Sequence, residues 1–190
     1  LELSSAASDV YKRQKLEDLK ILINESFLPV GEFEKIQSIV MGSQFPWYKQ
    51  ECGVSANVDK GGYGFQFTHQ LRNVDRGTSH YNHLFTNLYM RLGVKRLFRS
   101  KLNLLYRTKE IHEFKPFHID LNEDNPPWTT AILYMNTNNG YTLFEDGTKV
   151  DSVANRLVEF EGHTFHTGST HTIGTPVSYT HLTLPTRAQV

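Results

Sequence analysis

The chain is expected to be an α+β domain in which a β-sandwich or jelly roll is flanked by N-terminal helices. Three observations lead there. Apolar residues in the first half recur at helical spacing, and from Val94 onward the texture changes to short β-like runs. Turn-forming clusters separate those runs, and helices followed by strands is the order of an α+β chain rather than an alternating one. The length suits one domain, and 12 Phe, 9 Tyr and 2 Trp supply the bulk of a core.

Residues 16–24 place Leu16, Leu19, Ile21 and Leu22 near helical spacing, which predicts an amphipathic helix. Pro29 and Gly31 break it, and residues 32–41 resume with Phe33, Ile36, Ile39 and Val40. Phe45, Pro46, Trp47 and Tyr48 read as a turn or strand entry packed by aromatics. The glycines at 61, 62 and 64 lack the Lys-Ser/Thr ending of a phosphate loop, so they predict a hairpin or flexible connection into a strand at 65–68. Residues 79–92 predict a helix with Leu84, Leu88 and Leu92 along one face and Ser79 as its cap. Strand-like runs follow at 102–105, 111–114, 129–135, 141–144, 153–160 and 164–167, with turns at 122–127, 136–140 and 145–147.

His118, Ile119 and Asp120, followed much later by His166, form the chemically most informative pattern. On an extended strand His118 and Asp120 point to one face. Two imidazoles and one carboxylate on one face of a metal leave adjacent positions open, the arrangement that non-haem Fe(II) oxygenases use. A lone His-x-Asp is common by chance, so its neighbours matter. His163 lies three residues before His166 and would face the other way on a strand. It also follows Gly162 in a turn-like stretch, where exposure is the ordinary expectation. His69, His80, His83, His112, His171 and His181 have no partner pattern and are expected to be surface or hydrogen-bonded histidines.

Composition narrows the function classes. Lys plus Arg (20) equals Asp plus Glu (20), so no overall field favours a nucleic acid partner. A single cysteine, Cys52, excludes an internal disulfide framework and a thiolate zinc site. No apolar run is long enough for a membrane-spanning helix, so a cytoplasmic protein is expected.

The matches to one family can be quoted in order: Asn103-Leu104-Leu105-Tyr106, then Phe117-His118-Ile119-Asp120, then the run from Trp128 to Asn136. The stretch from Asn139 to Phe144 follows, then Asn155 to Phe160, and last His163 to Ser169. In this series residues 101–176 resemble the catalytic core of the 2-oxoglutarate/Fe(II)-dependent dioxygenases, most closely their prolyl-hydroxylase-like branch. The resemblance implies a double-stranded β-helix whose mouth brings His118, Asp120 and His166 together as catalytic metal ligands. It implies Fe(II), 2-oxoglutarate and O2 as cofactor and cosubstrates, and it allows ascorbate as an auxiliary reductant. Tyr106, Tyr134 and Thr142 match positions that line the family's cosubstrate pocket; their ordinary alternative is a place among core aromatics and strand threonines. The family's basic residue for the far carboxylate normally follows the distal His by about ten residues, which here reaches Pro176 and Val177. Arg156 is the fallback donor, although Asn155 and Arg156 read more readily as a turn before a strand.

Such an enzyme would hydroxylate peptidyl proline, another protein side chain or a small molecule, and the sequence leaves the substrate and the oligomeric state open. Two rivals remain: a non-catalytic cupin-like metal-binding jelly roll, and a nucleobase-acting oxygenase of the same chemistry. Residues 1–14 (LELSSAASDVYKRQ) and 177–190 (VSYTHLTLPTRAQV) resemble translated sequencing adaptor. The native domain is therefore expected to span 15–176 and to have lost its C-terminal end. Residues 177–190 are expected either to lie loose or to pair without a basic side chain for the cosubstrate.

Overall fold

Alternation along the strands sorts the core into two compartments. The computed structural model describes residues 21–51, 65–73, 77–114, 116–120, 128–174 and 179–186. In chain order these form β1 (Leu22–Asn24), α1 (Val30–Val40), β2 (Tyr48–Glu51), β3 (Phe65–Asn73) and β4 (Gly77–Thr78). A 3-10 helix (His80–Phe85) and α2 (Thr86–Arg91) follow, then β5 (Arg99–Leu105), β6 (Thr129–Tyr134) and β7 (Tyr141–Phe144). The last elements are β8 (Lys149–Asp151), β9 (Leu157–Glu161), β10 (His166–Gly168) and β11 (Tyr179–Thr186). The major sheet has the order β1-β9-β6-β11-β5-β3-β2 with β4 on β3, and the minor sheet the order β10-β7-β8; the named pairs are antiparallel.

Successive side chains of a strand face opposite sides. On one face of the major sheet Leu102, Ala131, Leu133 and Leu157 pack with Leu28, Phe33, Ile36 and Val40 around α1 and with Phe85 and Leu88. On the other face Leu105, Ile132, Tyr134, Val158 and Phe160 meet Phe144 and Val150 of the minor sheet. This α+β jelly roll matches the fold class expected from the sequence. Each fully buried aliphatic or aromatic side chain contributes roughly 1.5–3 kcal/mol, so the helix-covered face holds most of the stability. The inter-sheet face carries Phe144 and Phe160, whose rings border His166 of the candidate site.

Several elements match their sequence patterns. Helix α1 buries Phe33, Ile36 and Val40, and Pro29 stands at its N-cap, where the missing N–H costs little. Ser79 accepts a hydrogen bond from the Tyr81 N–H as the expected cap, although the helix is split into a 3-10 turn and α2. Phe45 packs against Trp47, His69 and Tyr81. The glycine-rich stretch 61–64 lies outside the described residues.

Other elements correct the expectations. Residues 22–24 are not helical but form β1 on the outer edge of β9, with Leu22 opposite Glu159 and Asn24 opposite Leu157. The open edge of β9 presents backbone groups that need partners, and this tertiary demand overrides the helical spacing. Leu22 and Ile23 remain exposed, whereas Ile21 packs on the inter-sheet cluster. Residues 111–114 make no regular strand, and β8 was not anticipated. It follows the turn at Gly147 (φ +90°), where the Thr148 N–H donates to Asp146 Oδ1.

Residues 179–186 do not lie loose. β11 pairs with β5 along Lys101 to Leu105 and with β6 along Thr129 to Tyr134. Without it both neighbouring strands would present open edges. Its sequence, YTHLTLPT, contains no Lys or Arg. No helix among the described residues is long and apolar enough to cross a membrane.

Asn155 joins the N-terminal segment to the barrel. Its φ is +64°, a left-handed conformation that Asn tolerates better than most residues. The side chain accepts from the Leu28 N–H at 2.9 Å and donates to the Leu28 carbonyl at 2.7 Å. Its backbone N–H reaches the Tyr134 carbonyl, and its carbonyl accepts from the Phe27 N–H. Asn155→Ala is expected to destabilise the fold by about 3 kcal/mol, combining left-handed strain with unpaired buried backbone groups. Asn155→Gly, which keeps the backbone but loses the amide, should cost about 2 kcal/mol by the same reckoning. Urea unfolding of the two variants checks both the size and the order.

Candidate metal centre

The site is built on an irregular ladder. Residues 107–114 and 116–118 run beside 166–171: Thr108 N–H donates to the His171 carbonyl, Thr170 N–H to that of His112, and Phe114 N–H to that of Gly168. Threonines reinforce the ladder. Thr108 Oγ1 donates to Thr170 Oγ1 at 2.7 Å, Thr170 Oγ1 accepts from the His112 N–H at 2.8 Å, and the Thr167 hydroxyl donates to the Phe114 carbonyl. At the far end His118 and His166 exchange both backbone hydrogen bonds at 3.0 Å. Residues paired in this way project their side chains from the same face, and the two imidazole centroids lie 4.8 Å apart. Asp120, two residues on, returns to that face.

His118, Asp120 and His166 each offer a ligand atom, all within 4.8 Å of one another, and no other group of three or more such residues forms among the described residues. His166 is buried; its ring packs edge-on against Phe160 at 4.8 Å, with Phe144 at 6.3 Å. Its Nδ1 lies 3.0 Å from the Thr164 carbonyl. A carbonyl only accepts, so the proton belongs on Nδ1, which leaves the Nε2 lone pair directed toward the site. His166 Nε2 stands 3.6 Å from Asp120 Oδ2.

The Asp120 side chain is only 4 % exposed, and its two oxygens have different surroundings. Oδ1 accepts from Arg99 Nη2 at 2.9 Å, and the same nitrogen donates to the Asp120 carbonyl at 3.1 Å. Oδ2 is buried and has no hydrogen-bond partner among the described atoms. Burial alone would raise the Asp120 carboxyl, but the positive fields of His166, Lys101, Arg99 and His118 outweigh it and hold it below its usual range. Burial, with a smaller push from His166, lowers His118 from its ordinary 6.5 to about 4, against an opposing pull from Asp120. His118 is therefore neutral at physiological pH and able to ligate.

His163 sits half-buried in the turn before β10, so strand parity does not govern it. His171 is fully buried on the ladder, and neither joins the cluster. His69, as expected, is a hydrogen-bonded histidine, held by the Pro46 carbonyl and Ser79 Oγ. Tyr134 is fully buried in the inter-sheet cluster that also holds Phe144 and Phe160, the rings beside His166. Its hydroxyl donates to Thr142 Oγ1 at 2.6 Å, and Thr142 stands opposite Gly168 in the minor sheet. Tyr106 is half-buried just past β5.

Arg156 is committed elsewhere: it ion-pairs with Glu25 at 2.7 Å and donates to the Asp151 carbonyl. The positions at which the family's basic residue is expected, Pro176 and Val177, carry no charged side chain and lie outside the described residues. Arg99 was not anticipated. It stands 21 residues before Asp120, and only the strand entry at β5 brings the two together.

Comparison with protein-family models and with curated proteins gives no match. Solved structures do match. A 2OG-Fe(II) oxygenase family oxidoreductase from Burkholderia pseudomallei aligns at TM-score 0.63 and 10 % identity, over 96 % of this chain and 91 % of that one. A prolyl hydroxylase from Trichoplax adhaerens, in complex with a hypoxia inducible factor peptide fragment, aligns at 0.58 and 14 %, over 91 % and 86 %. A Pseudomonas putida prolyl-4-hydroxylase aligns at 0.52 and 15 %, over 92 % and 96 %. The chain has the prolyl-hydroxylase-like 2-oxoglutarate oxygenase fold. The His-Asp-His cluster lies at the His118–His166 pair, where His166 meets Phe144 and Phe160 of the inter-sheet cluster.

The direction of the titration shifts gives a stability test. His118 has a folded pKa below its unfolded value, so its contribution is present above about pH 6.5 and is lost as pH falls toward 4. Asp120, also lowered, contributes above its unfolded value and loses that contribution only at still lower pH. His118 keeps exposed surface, so solvent screens part of the effect. The metal-free protein is expected to melt at lower temperature at pH 4.5 than at pH 7, with a shallower drop in His118→Gln. Equal slopes in differential scanning calorimetry would show that His118 is not the group responsible.

Proposed function

We propose that this protein is an Fe(II)- and 2-oxoglutarate-dependent oxygenase. It would hydroxylate a C–H bond of a protein side chain, peptidyl proline included, or of a small molecule, with 2-oxoglutarate and O2 converted to succinate and CO2. The observation that carries the reading is Asp120: a buried carboxylate with one oxygen held by Arg99 and the other unpartnered beside two imidazoles. An unpaired buried carboxylate oxygen costs several kcal/mol or more, and a divalent cation is the partner that the two imidazoles would share with it.

The residues fit the metal. His118, Asp120 and His166 would hold Fe(II) through two nitrogens and one oxygen, leaving positions for a chelating cosubstrate and O2. Bound Fe(II) supplies O2 activation coupled to decarboxylation of 2-oxoglutarate. The chain's part is to bind and orient. The Thr164 carbonyl fixes the His166 tautomer, and Phe144 and Phe160 keep water from the inner side of its ring. No side chain need act as acid or base. Tyr106, Tyr134 and Thr142 are the proposed lining of the cosubstrate pocket; the Tyr134 hydroxyl, now given to Thr142, is the donor best placed in the enclosed cluster to turn toward a carboxylate. The Trichoplax adhaerens neighbour's bound peptide supports a protein substrate as one of the two classes, without selecting it.

Anaerobic addition of Fe(II) and 2-oxoglutarate is expected to give the weak visible charge-transfer band of the chelated complex, absent in Asp120→Ala. A cupin-like module without cosubstrate would bind metal but show no such band. Tyr134→Phe should weaken 2-oxoglutarate binding about three- to tenfold, the loss of roughly one hydrogen bond. Iron affinity should stay unchanged, and a Tyr134→Phe protein with unaltered cosubstrate affinity would remove Tyr134 from the pocket.

A further inference from the structure

We propose that Arg99 is a positioning residue that divides the Asp120 carboxylate into one clamped oxygen and one metal-facing oxygen, keeping it a one-oxygen ligand. The inference rests on the metal-site reading above and adds a residue that neither the His-x-Asp motif nor the distal histidine implies.

The geometry is specific. A single guanidinium nitrogen, Nη2, bonds the Asp120 main-chain carbonyl at 3.1 Å and its side-chain Oδ1 at 2.9 Å. That nitrogen carries two hydrogens, one for each acceptor. Spanning main chain and side chain at once restrains the χ1 torsion of Asp120, whereas an ordinary surface ion pair would restrain only the tip. The clamped residue is 4 % exposed in its side chain and Arg99 is 23 % exposed, so the pair is shielded from water. Oδ2 is left without a hydrogen-bond partner, and His166 Nε2 stands 3.6 Å away, beyond a hydrogen bond.

The consequence concerns coordination number. A free carboxylate beside a divalent cation can present both oxygens, which would occupy a fourth position around the metal. With Oδ1 held by a charge-assisted bond, only Oδ2 is available. Three protein donors then remain three, and the open positions needed by a bidentate cosubstrate and O2 are preserved. Arg99 also adds its positive charge to that of Lys101 in compensating the buried carboxylate when the metal is absent. This is the outer-sphere support that metal-ligating side chains generally require.

The test uses the full chain with Co(II) as the probe. Arg99→Gln is expected to lower Co(II) affinity about ten- to a hundredfold, the loss of one charge-assisted hydrogen bond, and to change the visible Co(II) band as the carboxylate shifts its binding mode. Arg99→Lys, whose ammonium can still donate to Oδ1, should recover most of the affinity. Isotope-edited difference infrared spectra of the wild-type chain with Co(II) read the carboxylate directly, independent of whether a variant folds. They should show the wide stretch separation of a one-oxygen ligand.

A narrow separation in the wild type, or an Arg99→Gln protein with wild-type Co(II) affinity and spectrum, would overturn the positioning role. A variant that melts earlier but titrates and absorbs like wild type would reduce Arg99 to a structural ion pair, and also overturns it. Failure of the wild type to bind Co(II) at all would overturn the metal reading itself, so the two failures are distinguishable.

Discussion

The reciprocal backbone bonds between His118 and His166 are the constraint on which the site depends. They set two imidazoles side by side with no help from a metal, because residues that exchange both hydrogen bonds in an antiparallel pair share a face. The Thr108, Phe114 and Thr170 backbone bonds further along the same ladder hold that register. A slip of one residue would replace His166 with Phe165 or Thr167 and turn the imidazole away. The register is visible in the burial: His166 is 4 % exposed and its neighbour Phe165 is 45 % exposed.

Around that pair the molecule separates stability from chemistry. The helix-covered face of the major sheet is apolar throughout its buried cluster and does not reach the candidate ligands. The opposite face admits polar groups, Tyr134 with Thr142 and Asp120 with Arg99, each paired as a buried polar group must be. Asp120 Oδ2 is one of several buried side-chain atoms without a hydrogen-bond partner among the described residues, and it stands where the imidazoles converge. Buried unpaired atoms are rare enough in folded proteins that one at a cluster of ligating side chains is a functional indication.

The structural neighbours share 10–15 % identity with this chain yet align over nearly all of it. A jelly roll tolerates such divergence because its core asks for apolar alternation and fitting volumes rather than particular residues. By the same reasoning the fold alone does not assign a substrate. Alternation leaves only a few residues unexplained: two histidines, a carboxylate, and the arginine and carbonyl that hold them.

Local patterns were legible in the sequence. The helix read at 32–41 and found at 30–40, the strands read at 102–105, 129–135 and 141–144 and found at 99–105, 129–134 and 141–144, and the same-face spacing of His118 and Asp120 follow from periodicities of 3.6 and 2 that each segment carries in itself. His166 is marked by its family position, and His163 stands in a turn, where strand parity has no hold. What tertiary structure decided were the pairings between distant segments. Leu22 and Ile23 carry helical spacing but become an edge strand because β9 offers an open edge, and residues 179–186 enter the major sheet because β5 and β6 leave a gap between them. Asn155 closes on Leu28 across 127 positions, and Arg99 meets Asp120 across 21. No local period encodes such contacts. They arise when the collapsed sheets bring unsatisfied backbone and charged groups together and burial requires that each find a partner.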